Sequence, residues 1–464
     1  MGAGCYIFLT MTNGDQTRQV TGNRLSMRNT ARLILLVSAI FLFSGVCFAN
    51  DIYIAQSASG TGNGSSCANS RAASFFNSSG NWGAGAAQIG PGTVVHLCGA
   101  VSNLTFQGNG ASGNPVIVDG TGATFAGDFT LSNRQYWTIR NVTWSVGSAG
   151  GFDISGGAFG LITGNQMDMG SGAMFLGQNN GLPHDIVISN NFIRNSASNS
   201  GADLIATEGA YNITIEGNYF ENRATNNESH VDCIQTWQSG GGSAGPPHDI
   251  TIRYNYFVMN TTSQNNKSFH MLEGLTGPVN IYGNVYVGQR GGSAANGINF
   301  NSNQSSMVAN IYGNTMVQRA GGTNNLMNLK GSGHINVRNN VVYSTDAGNS
   351  LTGDGVSSGM VTRDHNLWFG PGSPSCTSTE ICNRNPNFTN LAGNDFSLQT
   401  TSPAVGTGAS LGAPYNRTPV QGAQWPNPML GTRPGGAWDM GAFVNSSGTT
   451  TAPAPPTGLA VFVQ

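Results

Sequence analysis

Charged side chains are scarce in this sequence. Of its 464 residues only 9% are Asp, Glu, Lys or Arg, with 19 Lys and Arg against 21 Asp and Glu. The formal net charge is −2 at pH 7, and the pI is about 6.4. So few cations leave no basic surface that could bind the phosphates of a nucleic acid. We therefore expect no nucleic-acid partner.

Strong helix formers are also few, whereas turn-forming residues are abundant. The chain contains 67 Gly and 18 Pro, and Asn, Ser and Thr recur throughout. These residue types favour turns and interrupt helices. The composition therefore argues against helical repeats and favours short strands joined by many turns.

One apolar run lies near the N-terminus. Arg28 and Arg32 precede an apolar stretch that starts at Leu33 and ends in small residues, which is the layout of a secretory signal peptide. We expect cleavage between Ala49 and Asn50. The alternative is an uncleaved membrane anchor, although the run is short for a membrane span.

The predicted organisation follows from this segment. Residues 1–49 would be an N-terminal extension and signal peptide, with Met27 as the true start. Residues 50–445 would form one domain, and residues 446–464 a Ser/Thr/Pro-rich linker with a truncated tail. We expect a secreted or cell-surface monomer that meets the membrane only through its signal segment.

Five cysteines remain after the signal segment. An exported chain permits disulfides, and the spacings suggest one pair between Cys67 and Cys98 and another between Cys376 and Cys382. Cys233 is left over, and its spacing to the others fits no zinc site. We expect it to pack as a small apolar side chain.

Eight asparagines recur at steps of 26 to 37 residues. Each follows a stretch of alternating apolar and polar residues, such as "NITIEGNYF", which predicts a strand. A strand-rich repeat of this length indicates a coil of short parallel strands, each turn pairing with the next. Buried asparagines at equivalent turns would hydrogen-bond to one another. The asparagines are Asn165, Asn191, Asn218, Asn255, Asn284, Asn314, Asn340 and Asn366.

In these segments the chain resembles the pectin-lyase-like superfamily of right-handed parallel β-helices. "DIYIAQSASGTGNGSSCANSRAASFF" is similar to the opening strand and cap of exported members, and "NPNFTNLAGNDFSLQTTSPAVGTGAS" with "WDMGAF" is similar to their closing segment. The resemblance implies an all-β right-handed parallel β-helix with an N-terminal cap and a short disordered C-terminal tail. The superfamily includes hydrolases, lyases, epimerases, tailspikes and noncatalytic surface proteins, so the fold alone implies no single activity.

Ionisable residues gather in "ESHVDCIQTW", residues 228–237. We aligned the strands between successive asparagines at Ile205, Ile234, Leu272, Ile298 and Met327, since residues level on neighbouring rungs lie ~4.8 Å apart. The first predicted column then holds Asp203, Asp232, His270, Asn296 and Asn325. The second holds Ala206, Gln235, Glu273, Asn299 and Asn328, and the third Glu208, Trp237, Leu275, Asn301 and Lys330. A one-residue shift would move His270 and Glu273 but leave Asp203 beside Asp232.

This alignment predicts a polysaccharide site. Two carboxylates one rung apart cannot both ionise freely, so one pKa rises, as acid/base hydrolysis of a glycosidic bond requires. The predicted catalytic residues are Asp203, His230, Asp232, His270 and Glu273. The predicted substrate-binding residues are Glu208, Gln235, Trp237, Asn299, Asn328 and Lys330, with Trp237 as a platform for a sugar ring. Asp232 matches the Asn-Thr-Asp motif of polygalacturonases, but His230 and Val231 replace its Asn and Thr.

Three other interpretations stay open. A lyase would use His230 or His270 as a base beside a uronate, with a cation from Lys330, Lys267 or Arg290 or a calcium ion on Asp203, Asp232 and Glu273. A noncatalytic protein would bind a polysaccharide or cell-surface glycan, or act structurally. At the residue level, Asp203 and Asp232 could simply cap turn amides at the starts of their strands.

Overall fold

The computed structural model describes residues 51–444 with short internal gaps. The gaps are residues 171, 178–180, 197–201, 225–230, 239–244, 261–266, 289–294, 303–304, 320–325, 332, 346–350 and 353–358. The predicted signal segment and the predicted tail therefore lie outside the described residues, as do His230 and Arg290. Among the residues that are described, no helix combines the length and hydropathy needed to cross a membrane.

The regular secondary structure of the described chain consists almost entirely of short strands. The first twelve are β1 (Asp51–Ala55), β2 (Arg71–Ala72), β3 (Val94–Leu97), β4 (Ala100–Thr105), β5 (Val116–Asp119), β6 (Thr124–Ser132), β7 (Gln135–Arg140), β8 (Thr143–Trp144), β9 (Phe152–Ser155), β10 (Ala158–Thr163), β11 (Gln166–Met169) and β12 (Met174–Gly177). The next twelve are β13 (His184–Ser189), β14 (Phe192–Asn195), β15 (Ile205–Glu208), β16 (Tyr211–Glu216), β17 (Tyr219–Asn222), β18 (Ile234–Trp237), β19 (His248–Arg253), β20 (Tyr256–Met259), β21 (Lys267–Glu273), β22 (Val279–Tyr282), β23 (Val285–Gly288) and β24 (Ala295–Ser302). The last thirteen are β25 (Val308–Tyr312), β26 (Thr315–Gln318), β27 (Met327–Gly331), β28 (His334–Arg338), β29 (Val341–Ser344), β30 (Leu351–Thr352), β31 (Val361–Asp364), β32 (Leu367–Phe369), β33 (Ile381–Cys382), β34 (Phe388–Asn390), β35 (Asp395–Leu398), β36 (Arg417–Pro419) and β37 (Leu430–Thr432).

The strands form a right-handed parallel β-helix, as predicted. Each full turn contributes one strand to each of three parallel ladders. The first ladder is β2-β1-β3-β5-β7-β10-β13-β16-β19-β22-β25-β28-β31. The second runs through β8, β11, β14, β17, β20, β23, β26, β29, β32 and β33, and the third through β4, β6, β9, β12, β15, β18, β21, β24, β27 and β30. Strand β6 pairs with both β8 and β9, which joins the second and third ladders into one sheet.

The eight asparagines form the predicted ladder at the turn between the first and second ladders. Asn255 illustrates its geometry: its Nδ2 donates to the Ile215 carbonyl at 2.9 Å and to Asn284 Oδ1 at 3.0 Å. Its own Oδ1 accepts the backbone N–H and the Nδ2 of Asn218. All eight side chains are at most 2% exposed. Each asparagine therefore satisfies buried polar groups on the turns before and after it.

The interior and its N-terminal end are apolar. Isoleucines at equivalent positions stack as predicted, for example Ile186 level with Ile213 and Ile213 level with Ile250. The short helix α1 (Ala73–Phe76) buries Phe76 completely against Trp82 and Phe106, so it covers the first turn. This covering protects a strand edge that would otherwise be open.

The cysteines are arranged as the sequence predicts. Disulfides join Cys67 to Cys98 and Cys376 to Cys382. Cys233 is a free thiol that is fully buried in the core. Burial and the nearby charges of Asp232 and Asp203 raise the pKa of this thiol well above its usual value, so it is not a nucleophile.

After the last coil turn, the chain folds back along the second ladder. Outward valines of that ladder, among them Val287 and Val317, pack against Phe396, Met440 and Phe443 of residues 387–444. We call residues 387–444 the C-terminal segment. It buries the outer face of the second ladder from β23 onward.

Candidate functional site

The outer face of the third ladder carries the polar strand residues singled out in the sequence. Ala206 is level with Gln235, and Asn299 is level with Asn328, as predicted. Glu208 is level with Trp237, and Asn301 with Lys330. These four pairings follow the predicted columns, and they place their side chains on one outward surface because strand residues alternate between faces.

The predicted register of β21 was wrong by two residues. Ile234 is level with His270, whereas the alignment had placed it level with Leu272. His270 therefore points into the coil, where it is 0% exposed and its Nε2 hydrogen-bonds Tyr286 Oη at 2.8 Å. Burial lowers the pKa of His270 to about 3, so its imidazole is neutral at pH 7. Its predicted place beside Asp203 and Asp232 is therefore wrong.

The same shift moves Glu273 to another column. It is level with Asn301, whose Nδ2 donates to Glu273 Oε1 at 3.1 Å. The second column holds Met271 where Glu273 had been predicted, between Gln235 and Asn299. The third holds Glu273 where Leu275 had been predicted. An outward row of Glu208, Trp237, Glu273, Asn301 and Lys330 results.

Asp203 and Asp232 lie on adjacent rungs as predicted, but both bind backbone amides. Asp203 Oδ1 accepts the Asp232 N–H at 2.6 Å, and Asp232 Oδ1 accepts the Ser268 N–H at 2.5 Å. Their exposed fractions are 8% and 0%. The two carboxylates therefore cap successive rungs at the turn that leads into the third ladder, which was the structural alternative.

An open cleft of about 610 Å³ lies on this outer face, at β9, β12, β15 and β18. Of the predicted site residues, Asp203, Gln235 and Trp237 line it, and Phe175, Asp128 and Asp153 line it as well. Glu208, Glu273, Asn299, Asn328 and Lys330 lie elsewhere on the same ladder. The volume is within the range of about 300–1,000 Å³ typical of small-ligand sites.

Two aromatic rings form the apolar wall of the cleft. The rings of Phe175 and Trp237 are 6.1 Å apart with an interplanar angle of 28°. Between their strands lies Ala206, whose short side chain leaves room for the rings to approach. The Phe175 ring also lies over Gly177, where an added Cβ would be 2.3 Å from a ring carbon. The small residues Ala206 and Gly177 therefore leave space for the two rings on the outer surface.

Carboxylates supply the polar part of the cleft. Asp153 is level with Phe175 on the neighbouring strand. Asp153 is exposed, but partial desolvation by its neighbours, and secondarily the charge of Asp128, raises its pKa above the usual value. Asp128 Oδ1 accepts the Gly151 N–H at 2.9 Å, which fixes the position of this second carboxylate. The cleft thus places a carboxyl group with a raised pKa near an acidic partner.

Sequence reasoning missed Phe175, Asp128 and Asp153. The strand alignment starts only at the rung of Ile205 and leaves out the strand with Phe175, although that strand lies between Asn165 and Asn191. Extending the alignment toward the N-terminus would have found two of the three, because "FDIS" and "MFLG" show the same alternation and place Asp153 level with Phe175.

The residues named for calcium are not brought together. Asp203 and Asp232 each hold a backbone amide, and Glu273 lies in a different column from both. Within the described parts of the chain, no group of three or more His, Cys, Asp or Glu side chains could hold a metal ion. The described donor set therefore does not fit the calcium ion considered for a lyase.

Comparison with known proteins supports the fold. No protein-family model and no curated protein matches the sequence. Among solved structures, the pectate lyase Pel9A is similar with a TM-score of 0.55 and 15% identity, covering 87% of this chain and 98% of that one. The GH136 lacto-N-biosidase from Eubacterium ramulus has a TM-score of 0.34 and 12% identity, covering 73% of this chain and 72% of its own. The chain therefore has the right-handed parallel β-helix fold of pectin-lyase-like proteins.

Proposed function

We propose that this protein binds a neutral polysaccharide in the cleft of the third ladder and hydrolyses a glycosidic bond there. The observation that carries the proposal is the pairing of an aromatic wall, Phe175 with Trp237, with the Asp128 and Asp153 carboxylates in one open cleft. Sugar rings have an apolar face and a rim of hydroxyls, so they fit a site that offers both aromatic and polar groups. A pectate lyase with the same fold is consistent with a polysaccharide ligand.

The charge of the cleft favours a neutral polymer over a uronate. Asp128, Asp153 and Asp203 line it, and none of the described lining residues is Lys, Arg or His. A lyase needs a cation to neutralise the substrate carboxylate before a proton is removed. Carboxylates alone would repel that group. Hydrolysis is therefore better supported than β-elimination.

The two cleft carboxyl groups would divide the chemistry. Asp153, whose pKa is raised, would donate its proton to the glycosidic oxygen as the bond to the anomeric carbon breaks. Asp128 would take a proton from the water that adds to that carbon. Gln235 would bind a sugar hydroxyl, and Asp203 would hold the rung in place through the Asp232 amide. The proton of Asp153 thus ends on the leaving sugar hydroxyl, and the proton lost by the water ends on Asp128.

Reducing ends released from a panel of neutral polysaccharides test this proposal. We expect the unmodified protein to release them and Asp153→Asn to lower the rate by at least about a hundredfold, since general-acid catalysis contributes roughly that much. Asp249→Asn is the matched control, because Asp249 pairs with His248 on the first ladder. Equal rates for Asp153→Asn and the unmodified protein would refute the assignment. Glycan binding without any released ends would refute hydrolysis and indicate a binding protein.

A further inference from the structure

A second groove lies between the second ladder and the C-terminal segment. Its volume is about 340 Å³, and it shares no lining residue with the cleft described above. Tyr219 of β17 and Tyr256 of β20 line one side. The C-terminal segment contributes Trp425 and three polar residues, which are Asn394, Asp395 and Gln424.

The aromatic side of the groove is held rigidly. The Tyr219 and Tyr256 rings are 5.9 Å apart and nearly parallel, and the Trp425 ring lies 5.1 Å from Tyr256 at 48°. Trp425 is fixed because its Nε1 donates to the Tyr254 carbonyl at 2.6 Å. Burial, with a smaller effect of the Glu221 charge, raises the pKa of Tyr219 to about 12, so this phenol stays a hydrogen-bond donor at pH 7.

On the polar side of the groove, each of the three side chains uses only some of its polar atoms in hydrogen bonds within the protein. Asp395 Oδ1 accepts the Ser397 N–H, Asn394 Oδ1 accepts Arg319 Nη2, and Gln424 Nε2 donates to the Gly422 carbonyl. Among the described residues, no partner is found for Asp395 Oδ2, Asn394 Nδ2 or Gln424 Oε1. Asp395 Oδ2 and Gln424 Oε1 can accept hydrogen bonds, and Asn394 Nδ2 can donate one. Sugar hydroxyls, which both donate and accept, can satisfy all three.

We propose that this groove binds a neutral sugar residue, separately from the cleft and whether or not the cleft is catalytic. The Trp425 ring and the edges of the two stacked tyrosine rings would contact the apolar face of a pyranose. Asp395, Asn394 and Gln424 would bind its hydroxyls. A uronate is disfavoured, because Asp395 lines the groove and no lining residue among those described is a cation. Arg319, the cation beside Asn394, is held by Asn394 Oδ1 and the Leu391 carbonyl.

The first ladder carries an equivalent aromatic stack that serves as a control. Tyr211 lies between His184 and His248, with ring centroids 4.7 Å and 4.9 Å away. Both faces of its ring are covered by neighbours along the coil, as those of Tyr219 are by Phe192 and Tyr256. Tyr211 is not a lining residue of the groove or of the cleft. Tyr211→Phe thus removes the same hydroxyl as Tyr219→Phe from a stacked tyrosine outside the groove.

Calorimetric titration with neutral tetrasaccharides of glucose, mannose or galactose tests the second site. Trp237→Ala protein is used throughout, so that binding at the cleft is weakened. We expect one of these sugars to bind, and the added pair Tyr219→Phe and Asp395→Asn to raise its dissociation constant at least about tenfold. In Asp395→Asn the new amide oxygen can still accept the Ser397 N–H, which keeps the loop intact. Tyr211→Phe should leave the dissociation constant unchanged.

Two outcomes would overturn the second site. One is that none of the tetrasaccharides binds the Trp237→Ala protein. The other is that binding persists at full strength in the Tyr219→Phe, Asp395→Asn protein. Failure of the proposed hydrolysis is seen separately, in the reducing-end rate of Asp153→Asn, because that assay does not depend on the groove.

Discussion

At the scale of single residues, buried polar side chains determine how the turns of the coil stack. Asn255 makes hydrogen bonds to the turns on both sides, reaching Asn218, Asn284 and the Ile215 carbonyl. Asp203 and Asp232 do the same at another corner of the coil by holding the next backbone amide. A buried polar group that loses its partner costs more free energy than the hydrogen bond gains on average. These residues are therefore more sensitive to replacement than most apolar surface residues.

Asn255→Ala tests the asparagine ladder. The change removes the side-chain partner of the Asn218 N–H and of the Ile215 carbonyl in a dry interior, and Asn218 Nδ2 keeps only its bond to the Ile188 carbonyl. We expect the free energy of unfolding in urea to fall by about 3 kcal/mol or more. Asn260→Ala is the control: Asn260 is exposed, and among the described residues its side chain makes one hydrogen bond, to Glu221, so the loss should be below about 1 kcal/mol. Similar losses for both variants would contradict a special role of the ladder.

His270 makes a prediction about pH. Its pKa falls from 6.5 to about 3 on burial, so between these values the unfolded chain binds a proton that the folded chain does not. The contribution of His270 to stability is complete above pH 6.5 and is lost as the pH falls toward 3. Between pH 7 and pH 5 this loss is about 2 kcal/mol.

Urea unfolding of His270→Gln at pH 7 and pH 5 measures that loss. Glutamine can keep a hydrogen bond to Tyr286 Oη, but it does not titrate. The unfolding free energy of the variant should therefore fall less between the two pH values than that of the unmodified protein, by about 2 kcal/mol. An identical fall in both proteins would show that His270 is not buried in its neutral form.

At the scale of strands, the repeat predicted which strands pair but not every register. The strands around Asn165 to Asn366 pair as the spacing indicates, and Ile205 is level with Ile234. Strand β21 could not be placed, because "SFHMLEGL" offers two apolar frames. In the structure Phe269 is buried with Cys233 and Leu204, and His270 takes an inward position because Tyr286 supplies its hydrogen bond. That partner lies on another ladder, so the local sequence does not reveal it.

The candidate site shows the same division between local pattern and distant partner. The sequence predicts part of the site, because the strand repeat places some residues at equivalent positions on neighbouring strands. These residues are Asp203, Gln235 and Trp237. The preference of Asp203 and Asp232 for backbone amides, and the effect of Asp128 on Asp153, depend on atoms from separate turns. A sequence repeat can predict which residues pair on neighbouring strands. The role of each carboxyl group can be assigned only when its neighbours in the three-dimensional structure are known.

The two disulfides give a prediction for whole elements. The Cys67–Cys98 bond spans 31 residues and joins the N-terminal cap to the first ladder, while Cys376–Cys382 spans only 6. Since a crosslink restricts the unfolded chain more when its loop is longer, removal should cost about 3–4 kcal/mol for the first pair and about 2 kcal/mol for the second. Urea unfolding of the two double Cys→Ala variants measures the difference. An equal or reversed order would contradict the loop-length explanation.

At the scale of the whole molecule, the coil presents two surfaces of similar chemistry on different ladders. The third ladder carries the cleft with Phe175 and Trp237, and the second carries the groove with Tyr256 and Trp425. Both combine aromatic rings with carboxylates, and the chain has few cations overall, 19 Lys and Arg in 464 residues. A coil of this kind suits a neutral polymer better than an anionic one.

The central claim is that the cleft recognises a neutral glycan through its aromatic wall. Calorimetric titration of the unmodified protein and of Trp237→Ala with neutral and with uronate oligosaccharides tests it most directly. We expect a neutral oligosaccharide to bind the unmodified protein, and Trp237→Ala to lose at least about tenfold in affinity at the cleft, since a stacked aromatic contact contributes about that much. A uronate that binds more tightly than every neutral sugar, or a Trp237→Ala protein with unchanged affinity, would contradict this claim.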